Sequence, residues 1–194
     1  MSGHPVDLLG DAYAAAVAAA DPAAAVRAAL PEPPRGELLV VGAGKATLAM
    51  ARAVEAAYGE RGVAVRGAII VPHGTRARAS DGPVLGGGAG IEVLEGAHPV
   101  PDAAAAAATE RLLALVDGAG ADDHVLVLVS GGGSALLGAP AGLALADLRE
   151  VVDGLLRSGA DVAAMNVVRR RRDRAAPGAR RRGRRRRPRP GARV

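Results

Sequence analysis

One lysine stands in a chain that holds 24 arginines, and it follows two glycines: Gly42-Ala43-Gly44-Lys45. The segment Leu38-Leu39-Val40-Val41 before it reads as a short buried strand, and Thr47 to Tyr58 after it as a helix. Strand, glycine turn and helix N-terminus is the context in which backbone N–H groups hold a phosphate. A lysine at that end opposes the helix macrodipole, and an anionic ligand removes the conflict. A solvated lysine on the first turn is the competing reading. The segment is not a P-loop, because four residues do not separate its glycines. It is not a full dinucleotide fingerprint either, because Ala46 and Thr47 stand where the third glycine belongs.

A second glycine turn follows the most apolar run of the chain. Val125-Leu126-Val127-Leu128-Val129 reads as a strand buried on both faces. It opens into Ser130-Gly131-Gly132-Gly133-Ser134, which leaves backbone amides free at a strand's carboxyl end, where open α/β sheets bind ligands. A bare glycine turn is the plainer alternative. His98-Pro99-Val100-Pro101-Asp102 is a constrained turn with Asp102 at the N-cap of an alanine-rich helix. His98 and Asp102 are candidate supporting groups; the plainer alternative is a rigid loop with a structural histidine and an N-cap. Asn166 and Arg169, three residues apart, share a helix face and suit a carboxylate or phosphate. Asp122 and Asp123 precede a strand at its amino end and read as surface charge. No set of residues reads as a metal site.

These segments are positioned by alternating elements. Helices are expected from Val6 to Ala20 and, capped by Asp21 with Pro22 at N1, on to Leu30. Further strands are expected within Val63–Val71 and at Ile91–Leu94, with a loop over 72–90. Helices are expected over 103–116, from Leu145 to Leu156, and after Asp161. Strands alternating with helices imply crossover connections and a mostly parallel sheet in a three-layer α/β/α, Rossmann-like domain.

Bulk composition bounds the rest. The 194 residues suffice for one domain with a core, which is aliphatic: there is no Cys, Trp or Phe and only two Tyr. Disulfides and thiolate metal sites are therefore excluded. Neither a signal peptide nor an apolar run of about 18 residues is present, so a soluble cytoplasmic protein is the expectation. The net charge of +5 hides two halves: residues 169–194 carry fourteen arginines against Asp173, hence +13, and residues 1–168 carry −8. A cationic arm of this kind could hold nucleic acid non-specifically, since it lacks aromatics for base stacking.

Four motifs in order carry a family resemblance: G-A-G-K-A at 42–46, H-P-V-P-D at 98–102, S-G-G-G-S-A-L at 130–136, and S-G-A-D-V-x-x-M-N-V-V-R at 158–169. Together they resemble the glycerate 2-kinase family, whose second domain is called MOFRL. The resemblance implies ATP-dependent phosphorylation of D-glycerate to 2-phosphoglycerate with Mg²⁺. It also implies a Rossmann-like N-terminal domain that shares a cleft with a C-terminal one. It makes Lys45 the catalytic or substrate-orienting lysine. It puts Ser130 to Ser134 in the cleft; beside it, the residue types make Gly42 and Gly44 phosphate-binding candidates and let Asn166 and Arg169 orient substrate.

The resemblance ends at Arg169, where the family continues with a lysine, a histidine-leucine-serine segment and a lysine-glycine-glycine turn. Here only Arg, Pro, Gly and Ala recur, with no apolar periodicity, so residues 169–194 are expected to be a disordered tail on a domain spanning 1–168. The palette is that of GC-rich DNA read in a shifted frame near codon 170, which would truncate a two-domain kinase and impair it. The gene's DNA tests this. Another frame downstream should encode a lysine-glycine-glycine turn and a further α/β domain, and finding neither refutes the reading.

Overall fold

A computed structural model describes residues 5–78, 90–138 and 144–172. Its elements run in the order α1 (Pro5–Ala19), α2 (Pro22–Ala29), β1 (Leu38–Ala43), α3 (Thr47–Gly59), β2 (Val65–Pro72), α4 (Thr75–Arg78), β3 (Ile91–Gly96), α5 (Ala103–Asp117), β4 (His124–Val129), α6 (Gly133–Leu136), α7 (Leu145–Arg157) and α8 (Val162–Arg172). The four strands form one parallel sheet in the order β3-β2-β1-β4.

The period of two along each strand sends alternate side chains to opposite faces. Leu38, Val40, Ile69 and Val71 join Ala51, Val54 and Tyr58 of α3 in one core. Val41, Ala43, Ala68 and Ile70 join Ala108, Leu112 and Leu115 of α5 in the other. These two cores make the domain three-layered, α/β/α and Rossmann-like. The aliphatic packing has a polar anchor: buried Tyr58 donates its hydroxyl to Pro31 O at 2.8 Å, which ties the segment after α2 to α3.

The chain winds outward from β1 to β2 to β3, then α5 carries it back across the sheet to β4 on the far side of β1. Strand order therefore reverses between β1 and β4. Neighbouring connections leave that point on opposite faces, and a crevice opens at the carboxyl ends.

Five features differ from the sequence reading; the first is a helical turn, α4, inside the loop expected over 72–90. β4 is not buried on both faces: among the described residues it is an edge strand, and Val127 and Val129 are each 60% exposed. β1 continues to Ala43, so Gly42 belongs to the strand and the turn starts at Gly44. Asp123 is more than surface charge: its carboxylate accepts from Glu37 N–H (2.8 Å) and Gly120 N–H (2.7 Å), and these bonds hold its pKa below the usual carboxylate value. α8 runs to Arg172, past the boundary expected at 169; the rest of the arginine-rich segment, like 79–89 of the expected loop, lies outside the described residues. Among the described residues no helix is long and apolar enough to cross a membrane.

Candidate functional site

The two glycine turns meet at the point where strand order reverses. Ala43 of β1 pairs in register with Val129 of β4, so Gly44 and Ser130 leave the sheet side by side. Ser130 Oγ accepts from Ala46 N–H at 3.0 Å and lies 3.3 Å from Thr47 Oγ1. Lys45 N–H donates to Gly131 O at 3.2 Å, and Ser130 N–H to Ala43 O at 3.3 Å. The residue before α3 is Ala46, which has no side chain able to cap it. A serine 84 positions later instead accepts from the N–H of Ala46 itself.

This lacing changes which groups are open. The amides leading into α3 do not wait for an anion: those of Lys45, Ala46 and Thr47 already donate to Gly131 O, Ser130 Oγ and Gly44 O. In the second turn Gly133 N–H donates to Ser130 O at 3.0 Å. Among the described residues the amides of Gly131 and Gly132 donate to no protein group. Of the amides of Gly131, Gly132 and Gly133, two are therefore open among the described residues.

The glycines divide in the same way. A Cβ at Gly42 would meet Leu128 O at 2.5 Å and Thr47 Cγ2 at 2.8 Å; one at Gly44, whose φ is +143°, would collide with Ser130 Oγ. One at Gly133 would meet Ala43 O at 2.5 Å. These three are required by the approach of β1 to β4, with no ligand invoked. Gly131 has open space where its side chain would be. Gly132, at φ +83°, faces His98 Nε2 (2.9 Å from a Cβ built there) and Lys45 Cε (3.7 Å). His98 thus reaches from beyond β3 across the row of strand ends to the serine-glycine turn, and Lys45 folds toward the same spot. Lys45, His98, Gly131 and Ser134 are exposed.

Asp102 is the N-cap of α5, as expected, and more. Its Oδ1 accepts from Ala105 N–H (2.8 Å) and Ala97 N–H (3.2 Å), and its Oδ2 lies 2.7 Å from His73 Nε2. Burial pushes its pKa up, but the hydrogen bonds from His73, Ala105 and Ala97 outweigh this and hold it below the ordinary carboxylate value. The sequence reading passed over His73. The signal was available: it immediately follows a strand of the parallel sheet, at the edge where ligands bind. Asn166 and Arg169 sit on α8, which packs against α7. The contacts that join Lys45, Ser130, Gly132 and His98 do not include Asn166. A groove of about 450 Å³ between α2 and β4 also reaches Ser130, but Val26, Leu30, Met50, Leu126, Val127 and Val129 make it apolar and unsuited to an anion. Among the described residues no three His, Asp or Glu side chains cluster so as to hold a metal ion.

Comparisons with known proteins bear on this arrangement. The family model described as a domain of unknown function, DUF4147, matches residues 8–179. An Agrobacterium vitis protein provisionally named hydroxypyruvate reductase is 47% identical over 158 residues, 81% of this chain and 34% of that protein. The D-glycerate 2-kinase of Thermotoga maritima is 37% identical over 149 residues, 76% of this chain and 33% of that enzyme. The crystal structure of glycerate kinase from Thermotoga maritima superposes with a TM-score of 0.66 at 33% identity, covering 84% of this chain and 37% of that one. The chain thus spans about a third of the length of the curated relatives it matches.

Two substitution tests follow. Gly44→Ala meets both a collision and an unfavourable φ, and should cost more than about 2 kcal/mol in urea unfolding, whereas Gly131→Ala, into open space, should change stability by less than about 0.5 kcal/mol. Asp102→Ala should cost about 1 kcal/mol at pH 7. Because the folded-state pKa of Asp102 is depressed, its contribution is present above the unfolded carboxylate pKa of about 3.9 and is lost as pH falls through the folded value. The gap between wild type and variant should therefore narrow at pH 2.

Proposed function

The chain belongs to the DUF4147 family, and on that premise we propose that it carries the phosphate- and glycerate-binding part of an ATP-dependent glycerate 2-kinase, which makes 2-phosphoglycerate from D-glycerate. The observation that carries the reading is the approach of Lys45 and His98 to Gly132, in a turn where the Gly131 and Gly132 amides are open, at the reversal of strand order. One ammonium and two adjacent N–H donors form a receptor for phosphate or carboxylate oxygens.

Phosphoryl transfer demands positioning and charge neutralisation rather than a covalent protein intermediate. Lys45 neutralises charge on the transferring phosphoryl group or on the glycerate carboxylate. Gly131 and Gly132 donate to phosphate oxygens. Ser130 acts indirectly, because its hydroxyl is committed to the first turn of α3 and so fixes where Lys45 starts. Gly42, Gly44 and Gly133 let the two strand ends approach, and Ser134 stands beside them on α6. Asn166 and Arg169 are the candidates for orienting substrate from α8. ATP supplies the phosphoryl group when bound. For Mg²⁺ the fit is poor among the described residues: Asp102, the acid beside His98, is spent on two amides and an imidazole.

The name of the Agrobacterium vitis relative raises hydride transfer as a second reading. The local chemistry disfavours it. Where a dinucleotide fingerprint has its third glycine stands Thr47, buried with its hydroxyl toward Ser130. Where a ribose-binding acid would follow the second strand stands His73.

Calorimetry on the 194-residue chain tests the proposal. ATP or D-glycerate should bind, and Lys45→Met should weaken that binding about 10- to 100-fold, the value of a charge-assisted contact. Turnover should be far below that of a full-length glycerate kinase. Unchanged affinity in the variant, or NADH binding in place of ATP, would contradict the assignment.

A further inference from the structure

His73 belongs to none of the motifs that point to the kinase reading, yet the structure builds a geometry around it. It follows β2, the strand between β1 and β3, so its place in the row of strand ends lies between Lys45 and the His98–Asp102 turn. Its backbone is pinned: His73 N–H donates to Gly96 O at 3.1 Å. Its ring is pinned as well, with Nε2 2.7 Å from Asp102 Oδ2. Asp102 cannot swing away, because Oδ1 is held by the amides of Ala97 and Ala105.

The hydrogen-bond chemistry then fixes the tautomer. An ionised carboxylate only accepts, so Nε2 carries the proton. In the neutral imidazole the lone pair is left on Nδ1. Nδ1 has no hydrogen-bond partner among the described residues, and the side chain is 50% exposed. A histidine whose one nitrogen is tied to a fixed carboxylate, and whose other is a bare acceptor, is equipped to take a proton.

We propose that His73 is the proton acceptor for the substrate's hydroxyl in phosphoryl transfer, with Asp102 as its positioning residue. This rests on the kinase reading above. In the step, the hydroxyl oxygen of glycerate forms a bond to the γ-phosphorus while its O–H bond breaks and the proton passes to His73 Nδ1. The bond from the γ-phosphorus to the bridging oxygen breaks, and its electron pair leaves with ADP. The imidazolium that results is stabilised by the Asp102 carboxylate. Lys45, one strand away, neutralises the phosphoryl or carboxylate charge and is not needed as a base.

The test is imidazole ¹⁵N spectroscopy on the intact chain, with its four histidines assigned from His4→Gln, His73→Gln, His98→Gln and His124→Gln. The neutral His73 ring should be overwhelmingly the Nε2–H tautomer, and Asp102→Asn should turn it into a mixture. Saturating D-glycerate should move the His73 Nδ1 signal, and His73→Gln should keep glycerate affinity within about tenfold. A neutral Nδ1–H tautomer overturns the proposal. So does an Nδ1 signal that glycerate binding leaves unmoved, and that outcome leaves the kinase reading standing. A chain that binds neither ATP nor glycerate takes down the kinase reading, and the proposal with it.

Discussion

The hydrogen bond from Ala46 N–H to Ser130 Oγ is the joint on which the site depends. It links two strand ends that are adjacent in space and 84 residues apart in the chain. Without it the amide of Ala46, the residue before α3, would lose its acceptor. With it, the helix start, the lysine on that start and the serine-glycine turn become one rigid unit. An exposed backbone turn becomes a defined receptor because β1 and β4 are in register and no side chain keeps them apart.

That joint also explains why glycine is so frequent at these strand ends. Gly42, Gly44 and Gly133 are where one strand's carbonyl or hydroxyl would strike a Cβ on the other. Their role is to allow close approach. Gly131 and Gly132 remain: among the described residues their amides donate to no protein group, and Gly132 lies against His98 and Lys45. A glycine-rich motif can look like a uniform phosphate cradle in sequence while the folded chain gives its members two different tasks. The same economy holds for Asp102, which caps α5 and holds His73 with one carboxylate.

The sheet and its helices were legible because each rests on local signals: apolar runs between glycine and proline punctuation, with Asp21, Asp102 and Asp161 before helices. The parallel arrangement followed from alternation. Features that depend on pairing between distant segments were not legible. The edge position of β4 could not be read from Val125–Val129, because an apolar run does not reveal how many neighbours a strand has. The commitment of the Ser130 hydroxyl to α3, and of the α3 amides to the serine turn, required knowing that β4 lies beside β1. His73 was missed for the same reason: nothing near it in sequence announces Asp102, which arrives from the far side of β3. Lys45 and the Ser130–Ser134 turn were recognisable because composition made the one conspicuous and strand-then-glycine made the other.

Amide ¹H–¹⁵N shifts of the 194-residue chain, followed during titration with a non-hydrolysable ATP analogue, test the central claim most directly. The account predicts that the largest changes fall on Gly131 and Gly132, with smaller ones on Lys45 and Ala46, whose amides already have partners. Changes confined to the opposite end of the sheet, around Gly36, Gly120 and Asp123, with Gly131 and Gly132 unmoved, would contradict it.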